Sequence, residues 1–221
     1  MPDTKFVVMQ KLGRAYGQGA RRVLAVDGVT ASIRPGDRIA IMGPSGSGKT
    51  TLLHLIGGID GPSEGGISWP ALGERETLRP GRVAYVFQTS SLIEALTVVE
   101  NVELPLLLSG QPPREARARA AAVLAEAGLA ILAERLPEEL SGGQAQQAAI
   151  ARAIASGAKL ILADEPTGQL DHPTAQRLMD RLLGALEGSD AALVLTTHDR
   201  SVASRMSCIW RIEHGRMEEK S

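Results

Sequence analysis

The sequence predicts an α/β fold built around a parallel β-sheet, with a separate antiparallel layer near its N-terminus. Three features indicate this class: short apolar runs without strict alternation, helix-like segments between those runs, and an N-terminal pair of strand-like segments that precede any helix. Runs of Val, Ile and Leu without alternation are typical of strands buried on both faces, as in parallel sheets. The chain of 221 residues is long enough for one large domain.

The antiparallel layer is expected at about residues 4–34. Its strand-like segments are Phe6–Gln10 and Val23–Ile33, and the glycine-rich turn Tyr16–Gly19 lies between them. Two such segments separated by a turn that contains glycine are typical of a β-hairpin. We therefore expect a small antiparallel layer ahead of the parallel core.

The parallel strands are predicted from four apolar runs, which are Arg38–Met42, Val83–Phe87, Leu160–Ala163 and Ala191–Leu195. The helix-like segments are Arg114–Ala127, Gln144–Ala155 and Thr174–Leu186. Asp171 and Pro173 precede the core of the last helix, at the capping and early positions that helix starts prefer. The alternation of the two kinds of segment predicts an α/β sheet.

Polar residues suited to chemistry follow the carboxyl end of each apolar run. Gly43–Thr50 follows the first run and Gln88 follows the second. Asp164 and Glu165 follow the third, and His198 follows the fourth after two threonines. Open parallel sheets bind ligands at this edge, so we expect these groups to meet there.

Residues 43–50 fit the phosphate-loop pattern G-x-x-x-x-G-K-[ST], and they stand between a buried strand and the helix-like segment Thr51–Ile56, as the pattern requires. Glycines let backbone N–H groups turn toward phosphates, and the helix N-terminus adds partial positive charge. Lys49 is expected to pair with the β- and γ-phosphates, and Thr50 to ligate Mg²⁺. The predicted nucleotide-binding residues of this loop are Gly43, Pro44, Ser45, Gly46, Ser47, Gly48, Lys49, Thr50 and Thr51. The alternative is a glycine-rich turn without a ligand.

Two acidic residues end the third run. A carboxylate beside a phosphate-bound Mg²⁺ is electrostatically favourable, whereas an isolated buried carboxylate is costly. We expect Asp164 to hold Mg²⁺ through a water molecule, and Glu165 to orient and deprotonate the attacking water. The alternative is a pair of solvated acids at a strand end.

The segment Leu140–Gln144 matches the signature of the ATP-binding cassette (ABC) ATPases, a family that the chain resembles from end to end. The family's motifs occur in the family's order: an adenine-stacking aromatic (Tyr16), the phosphate loop, the Q-loop glutamine (Gln88), the signature, the acidic strand end (Asp164, Glu165), the D-loop (Gln169, Leu170, Asp171) and the switch histidine (His198). The resemblance implies a P-loop NTPase with a RecA-like parallel core and the N-terminal antiparallel layer. It also implies an inserted helical subdomain at about residues 89–157, within a single ATP-binding domain over residues 1–221.

The resemblance further implies a head-to-tail homodimer that encloses two ATP molecules, each between one subunit's phosphate loop and the other's signature. It implies that Glu165, His198 and Lys49 are the catalytic residues and that Thr50, Gln88 and Asp164 hold Mg²⁺. It also implies that Ser141, Gly142, Gly143, Gln144 and Asp171 act across the interface. A lone histidine is more often a surface or core residue, and Asp171 has a competing explanation as a helix cap.

Within the family, the segment Glu100–Leu106 after Thr97 resembles the ATPases of lipoprotein release, macrolide export and the cell-division complex. That resemblance implies a membrane permease on a separate chain, with its coupling helix in a groove between Gln88 and the helical segment. Alternatives are a soluble cassette ATPase of DNA repair or translation, a small-molecule P-loop kinase, and a non-transporting ATPase that regulates a membrane partner.

Three departures from the family pattern are visible. Gln147 replaces the arginine usual after the signature, Gln169 stands where Asn or Ala is usual in the D-loop, and the segment Trp69–Pro80 is short. The replacement of the arginine by Gln147 puts in doubt how strongly the signature helix is coupled to its neighbours.

Composition bears on where the protein is expected in the cell and on whether it binds nucleic acid. Lys and Arg number 24 against 25 Asp and Glu, so no nucleic-acid partner is expected. The longest stretch without a charged residue, Leu140–Ala151, has 12 residues, too few to span a bilayer. The N-terminus has no secretory pattern. We expect a cytoplasmic protein, held at the inner face of the membrane by its permease.

Overall fold

A computed structural model describes residues 4–89 and 91–220 of the chain. Its strands are β1 (Val7–Tyr16), β2 (Val23–Ile33), β3 (Arg38–Met42), β4 (Glu64–Ser68), β5 (Val83–Val86), β6 (Leu160–Asp164), β7 (Ala192–Thr197), β8 (Cys208–Glu213) and β9 (Arg216–Lys220). Its helices are α1 (Lys49–Ile56), α2 (Val98–Leu108), α3 (Pro113–Glu126), α4 (Gly142–Ala155), α5 (His172–Ala185) and α6 (Arg200–Ala203). Short 3₁₀ turns occur at Gly19–Arg21, Arg75–Thr77, Ala130–Leu132 and Pro137–Glu139.

The larger sheet has the strand order β5-β6-β7-β3-β8-β9, parallel except for β9, which is antiparallel to β8. All four strands predicted from the apolar runs are present in it. Asp164 of β6 pairs with Thr196 of β7, and Met42 of β3 pairs with Thr197. The carboxyl ends of these strands therefore lie side by side, as the prediction for the site requires.

The strand β7 shows why the apolar runs do not alternate between polar and apolar residues: it is buried on both faces. Val194 packs in the cluster formed with α1 and the antiparallel sheet, whereas Leu193 and Leu195 pack in the cluster formed with α5. Successive side chains of a strand point to opposite faces, so a strand covered on both sides is apolar throughout.

The antiparallel sheet has the order β2-β1-β4, and it is larger than predicted. β1 extends to Tyr16, whereas the predicted strand ends at Gln10. The prediction is too short because register irregularities between Met9 and Ala15 interrupt the alternation of polar and apolar residues. Lys11 has a positive φ of 46° within this irregular part. β4 carries two glycines and one large apolar residue, so its sequence gives little indication of a strand.

Three helices, α2, α3 and α4, pack together around a third apolar cluster. α2 was not predicted as a helix; it begins with a capping box in which Thr97 and Glu100 bond each other's backbone N–H groups. α4 contributes Ala148 and Ala151 to this cluster, and Ala149 and Ile150 to the cluster beside β7. The signature helix thus joins the helical part to the parallel sheet. Among the described residues, no helix is long and apolar enough to cross a bilayer.

The C-terminal hairpin of β8 and β9 was also missed. Its turn contains Gly215, whose N–H donates to the carbonyl oxygen of Ser47 at 3.1 Å and whose carbonyl accepts from the N–H of Asp27 at 2.8 Å. The hairpin therefore connects the antiparallel sheet to the phosphate loop. Trp210 of β8 is buried in the core.

Candidate functional site

The phosphate loop has glycines where neighbouring backbone leaves no room for a side chain. A Cβ on Gly43 would overlap the carbonyl oxygen of Ile212 in β8. A Cβ on Gly48, where φ is 106°, would overlap the carbonyl oxygen of Ala25 in β2. The first and last glycines of the motif are thus required by the close approach of β8 and β2 to the loop. Gly48 is also required by its positive φ.

Lys49, the first residue of α1, has its ammonium group folded over this loop. It is only 8% exposed, and its Nζ donates to the carbonyl oxygens of Gly43 and Pro44, both at 3.0 Å. The same Nζ lies 4.0 Å from Oε1 of Glu165. Buried cations need such compensation, and the result is a positive charge fixed beside the loop.

Asp164 lies at the end of β6 within reach of the phosphate loop. Its Oδ1 accepts a hydrogen bond from Oγ1 of Thr50 at 3.2 Å and another from Oγ1 of Thr196 at 2.5 Å. Asp164 and Thr50, which are 114 positions apart in the chain, therefore meet as predicted.

Thr196 is a residue of the site that the sequence analysis missed. Its Oγ1 also accepts from the backbone N–H of Glu165 at 2.8 Å, so one hydroxyl holds both acidic residues. The two threonines before His198 were visible in the sequence, but the pairing of Thr196 with Asp164 depends on the register of β6 and β7.

Glu165 turns sharply out of the strand end. Its φ is +44°, in the left-handed region that side chains rarely adopt. The carboxylate is mostly buried between Lys49 and His198, and its Oε2 lies 3.0 Å from Nδ1 of His198. His198 itself is largely exposed.

The phosphate loop, Gln88 and Glu165 share one cleft of about 220 Å³. Of the predicted nucleotide-binding residues, Ser45, Gly46, Gly48, Lys49, Thr50 and Thr51 line it. Gly43, Pro44 and Ser47 do not line it and instead support the loop from behind through the contacts described above. Tyr16 lies outside the lining but close by, since it pairs with Val23 in β2, two residues before the lining residue Ala25.

The signature residues lie in a second cavity of about 450 Å³. It is lined by Ser141, Gly143, Gln144, Gln147, Gln169, Leu170, Asp171, Thr174 and Arg177. None of these residues lines the phosphate cleft. The structure thus brings the signature together with the D-loop, including both unusual glutamines, but does not bring either to the phosphate loop of the same chain. Gly142 is the first residue of α4 and does not line the cavity.

Two helix caps at this second cavity differ. Ser141 caps α4 through a reciprocal pair, with its Oγ accepting from the N–H of Gln144 at 3.3 Å and its own N–H donating to Oε1 of Gln144 at 2.9 Å. Asp171 occupies the N-cap position of α5, but its side chain makes no capping hydrogen bond. The carboxylate of Asp171 therefore does not cap the helix that it precedes.

An apolar groove of about 500 Å³ lies between β5 and the start of the helical part. Its lining is Ile59, Arg79, Pro80, Gly81, Val83, Ala84, Tyr85, Phe87, Leu104, Pro105, Leu108, Arg152, Ala153 and Ser156. Burial raises the pKa of the Tyr85 hydroxyl, and the nearby charge of Asp164 raises it further, so this group is neutral. The Tyr85 hydroxyl is buried without a hydrogen-bond partner among the described residues.

These features define a class of protein. A parallel α/β sheet with a phosphate loop after one strand, an acidic pair at the same edge after another, and a signature helix on a separate surface is the arrangement of an ATP-hydrolysing cassette. The family model described as ABC transporter matches residues 26–168. The chain belongs to this family, and it is an ATPase.

Similar proteins cover nearly the whole chain. A lipoprotein-releasing system ATP-binding protein LolD from Pseudomonas syringae pv. tomato is 42% identical over 99% of this chain and 100% of its own length. A LolD protein from Legionella pneumophila is 42% identical over 93% of this chain and 94% of its own length. These relatives confirm the predicted resemblance to the lipoprotein-release group.

Solved structures confirm the fold. The ATP-binding cassette MJ0796, in a dimeric post-hydrolysis state bound to ADP and Pi, matches with a TM-score of 0.86 and 38% identity, over 96% of this chain and 98% of the other. The cassette cbiO1 from Clostridium perfringens matches with a TM-score of 0.83 and 27% identity, over 97% and 87%. The predicted P-loop NTPase fold with a parallel core and an antiparallel layer is therefore confirmed.

Proposed function

We propose that the chain is the ATPase subunit of a lipoprotein-releasing transporter, in which two copies bind two ATP molecules and drive a membrane permease on a separate chain. The substrate class comes from the relatives named LolD, which are similar over nearly their whole length. The permease would hold the ATPase at the inner face of the membrane.

The observation that carries the hydrolytic role is the position of Glu165. Its carboxylate lies between a cation, Lys49, and an imidazole, His198, at the mouth of the phosphate cleft. In the proposed mechanism Lys49 and the loop N–H groups bind the β- and γ-phosphates, while Glu165 accepts the proton of the attacking water. His198 holds the carboxylate through Nδ1 and contacts the γ-phosphate.

The residues proposed for Mg²⁺ fit that ion. Thr50 and Asp164 present hydroxyl and carboxylate oxygens in hydrogen-bond contact, and the amide of Gln88 lines the same cleft. Mg²⁺ prefers oxygen ligands and is usually held by one or two carboxylates together with substrate phosphates. Bound Mg²⁺ would supply charge neutralisation at the phosphates.

The homodimer is proposed because one chain presents the two halves of the site on different surfaces. The exposed N-terminus of α4 at Ser141 and Gly143 offers N–H groups and a positive dipole end that suit a γ-phosphate. A head-to-tail dimer would bring this surface of one copy to the phosphate cleft of the other, with Asp171 at the interface. ATP would then stabilise the closed dimer, and hydrolysis would release it.

The apolar groove is proposed as the permease contact. Leu108 in this groove is 65% exposed, and Phe87 next to Gln88 is also exposed. An amphipathic helix that lays its apolar face in this groove would bury both side chains. Because Gln88 follows Phe87 directly, such docking would act beside the phosphate cleft.

The test is reconstitution of the chain with its permease in proteoliposomes that carry a fluorescent lipoprotein. We expect lipoprotein release that requires ATP, and loss of release in Leu108→Asp because the permease no longer binds. Ile131→Asp is the matched control, since Ile131 is 90% exposed and lies outside the groove.

Two results would count against the assignment. ATP hydrolysis without permease binding or release would remove the transporter role and leave a cassette ATPase of another kind. Equal effects of Leu108→Asp and Ile131→Asp would remove the groove as the contact. ATP binding by each isolated variant reports that it is folded.

A further inference from the structure

Tyr16, the residue predicted to stack on the adenine of ATP, is held by two other side chains. The guanidinium carbon of Arg14 lies 4.7 Å from the centre of the Tyr16 ring. Nη2 of Arg14 pairs with Oδ1 of Asp60 at 2.8 Å, and the Tyr16 hydroxyl donates to Oδ2 of Asp60 at 2.7 Å. The three residues form a closed set of contacts, which we call the Tyr16 clamp.

The clamp leaves part of the ring accessible. Arg14 covers one face of Tyr16, and the residue is still 41% exposed. Its partner across the strands, Val23, is also exposed, so Tyr16 and Val23 together present an apolar surface at the end of β1 and β2. A planar purine can stack on the open face of the ring. Because the clamp already fixes the ring, stacking costs less side-chain entropy than it would for a ring free to rotate.

Asp60 connects the clamp to the phosphate loop. It follows α1, the helix that begins at Lys49, and its backbone N–H donates to the carbonyl oxygen of His54 in that helix at 3.3 Å. Its Oδ1 also accepts from the N–H of Gly61 at 2.7 Å. A helix is a rigid spacer, and α1 spans about 12 Å at 1.5 Å per residue. The ring is therefore fixed relative to the same element that holds the phosphates.

The clamp is also electrically balanced. Burial raises the pKa of the Asp60 carboxyl, but hydrogen bonds from the Tyr16 hydroxyl and the Gly61 N–H, together with the charge of Arg14, outweigh burial and keep this pKa below its usual range. Asp60 is thus ionised at neutral pH and offsets the charge of Arg14. The surface offered to a base is apolar and aromatic, without net charge from the clamp.

We propose that Arg14 and Asp60 are positioning residues for the base of ATP: they fix the ring of Tyr16 at a set place relative to the phosphate loop. This inference rests on the proposed ATP site, because it assigns a supporting role to residues that do not themselves contact the phosphates. It predicts that losing the clamp weakens the binding of the base and leaves the binding of the phosphates unchanged.

The test compares two ligands, MgATP and inorganic tripolyphosphate, by calorimetry on the whole chain. Arg14→Met and Asp60→Ala should weaken ATP binding about fivefold or more, because a cation–π contact or a charged hydrogen bond is lost, and should leave tripolyphosphate binding unchanged. Asp60→Asn retains an acceptor oxygen for the Tyr16 hydroxyl and should restore part of the ATP affinity. Lys49→Ala should weaken both ligands.

The matched control is Arg205→Met. Arg205 and Arg14 are equally buried, with side chains 25% and 26% exposed, and Arg205 also pairs with an aspartate, Asp180, at 2.6 Å. We expect this variant to bind ATP as the wild type does. If Arg14→Met unfolds at a much lower temperature, Arg14→Lys replaces it, since lysine keeps the ion pair but has no planar group to cover the ring.

The outcomes separate this inference from the proposed function. If Tyr16→Ala binds ATP normally, the base site at Tyr16 is wrong. If Tyr16→Ala weakens ATP binding but Arg14→Met and Asp60→Ala do not, the base site stands and the positioning role is wrong. Equal losses for ATP and tripolyphosphate in the clamp variants would indicate a structural role only and would also overturn the inference.

Discussion

The residue Glu165 combines a strained backbone with a carboxylate held from two sides. A left-handed conformation costs a non-glycine residue about 1 kcal/mol or more. Its N–H is bonded to Thr196, and its carbonyl oxygen accepts from the N–H of Gly168 at 3.0 Å, so the turn is fixed at both ends. The conformation aims the carboxylate into the phosphate cleft rather than along the strand.

We expect Glu165→Gln to bind ATP, to lose turnover by about 10²-fold or more, and to accumulate as an ATP-bound dimer, because the amide cannot accept the proton. Steady-state phosphate release and size-exclusion chromatography with ATP measure the two effects. Glu187→Gln, at an exposed position beyond α5, is the control. A wild-type rate of phosphate release in Glu165→Gln would show that another group is the base.

Variants of Thr196 and of its neighbour Thr197 test the role of the Thr196 hydroxyl. Thr196→Val removes one of the two hydrogen bonds to Asp164 and takes from the N–H of Glu165 its acceptor, so we expect lower turnover and a loss of about 1–3 kcal/mol in the free energy of unfolding. Thr197 is equally buried, but its Oγ1 accepts from the N–H of Asp199, outside the acidic pair.

Thr197→Val should therefore lower stability by a similar amount and leave more of the turnover intact. Phosphate release and urea unfolding, measured on both variants, make the comparison. The same loss of turnover in the two variants would mean that burial alone, and not the contact with the acidic pair, explains the effect.

At the scale of elements, α4 links the signature cavity to the segment on both sides of Gln88. Nε2 of Gln146 donates to the carbonyl oxygen of Phe87 at 3.3 Å, and Arg152 donates to the carbonyl and hydroxyl oxygens of Ser91 at 3.0 and 2.8 Å. Gln147 lines the signature cavity, beside Arg177. Although Gln147 replaces the family's arginine, α4 keeps three direct hydrogen bonds to the segment around Gln88.

The capping box of α2 makes a prediction about the helical part. Oγ1 of Thr97 accepts from the N–H of Glu100 at 3.4 Å, and Oε2 of Glu100 accepts from the N–H of Thr97 at 2.8 Å. The bond from the Thr97 N–H lowers the pKa of Glu100, so the cap is charged at neutral pH. We expect Thr97→Ala to lower the free energy of unfolding by about 1 kcal/mol.

Urea unfolding followed by circular dichroism measures this loss. Thr97→Ser keeps the hydroxyl acceptor and should restore most of the stability. If Thr97→Ala and Thr97→Ser are both as stable as the wild type, the capping box contributes nothing to the helical part.

At the scale of the whole molecule, the phosphate cleft and the signature cavity are separate and share no lining residue. The phosphate cleft lies at the carboxyl edge of the parallel sheet, and the signature cavity lies between α4 and the start of α5. In the proposed function a second copy completes the site, and the similar cassette MJ0796 has been solved as a dimer. Symmetric association of this kind builds two equal sites.

We expect Ser141→Arg, placed in the Glu165→Gln background, to bind ATP as a monomer without forming the dimer, because a bulky cation would obstruct the surface that meets the partner's nucleotide. Sedimentation in ATP measures the dimer, and fluorescence of a labelled nucleotide measures binding. Ser204→Arg, at an exposed position after α6, is the control. A full dimer in the Ser141→Arg variant would exclude the proposed role of the signature across the interface.

The sequence by itself determined the class of the fold and most of the chemistry. The phosphate loop, the acidic pair and the signature are contiguous in the chain, because glycines, a helix start and their functional side chains must occur together to form each local structure. The apolar runs fixed the parallel strands, since strands covered on both faces must be apolar throughout.

Tertiary structure decided the contacts between distant segments. Thr196 lies against Asp164 only through the register of β6 and β7, and Arg14 and Tyr16 meet Asp60 only because β1 lies beside the turn after α1. The strand β4 and the hairpin of β8 and β9 form through backbone pairing with neighbouring strands. Their own sequences do not predict that pairing. Such pairings depend on register and packing over long separations, and local sequence patterns do not specify them.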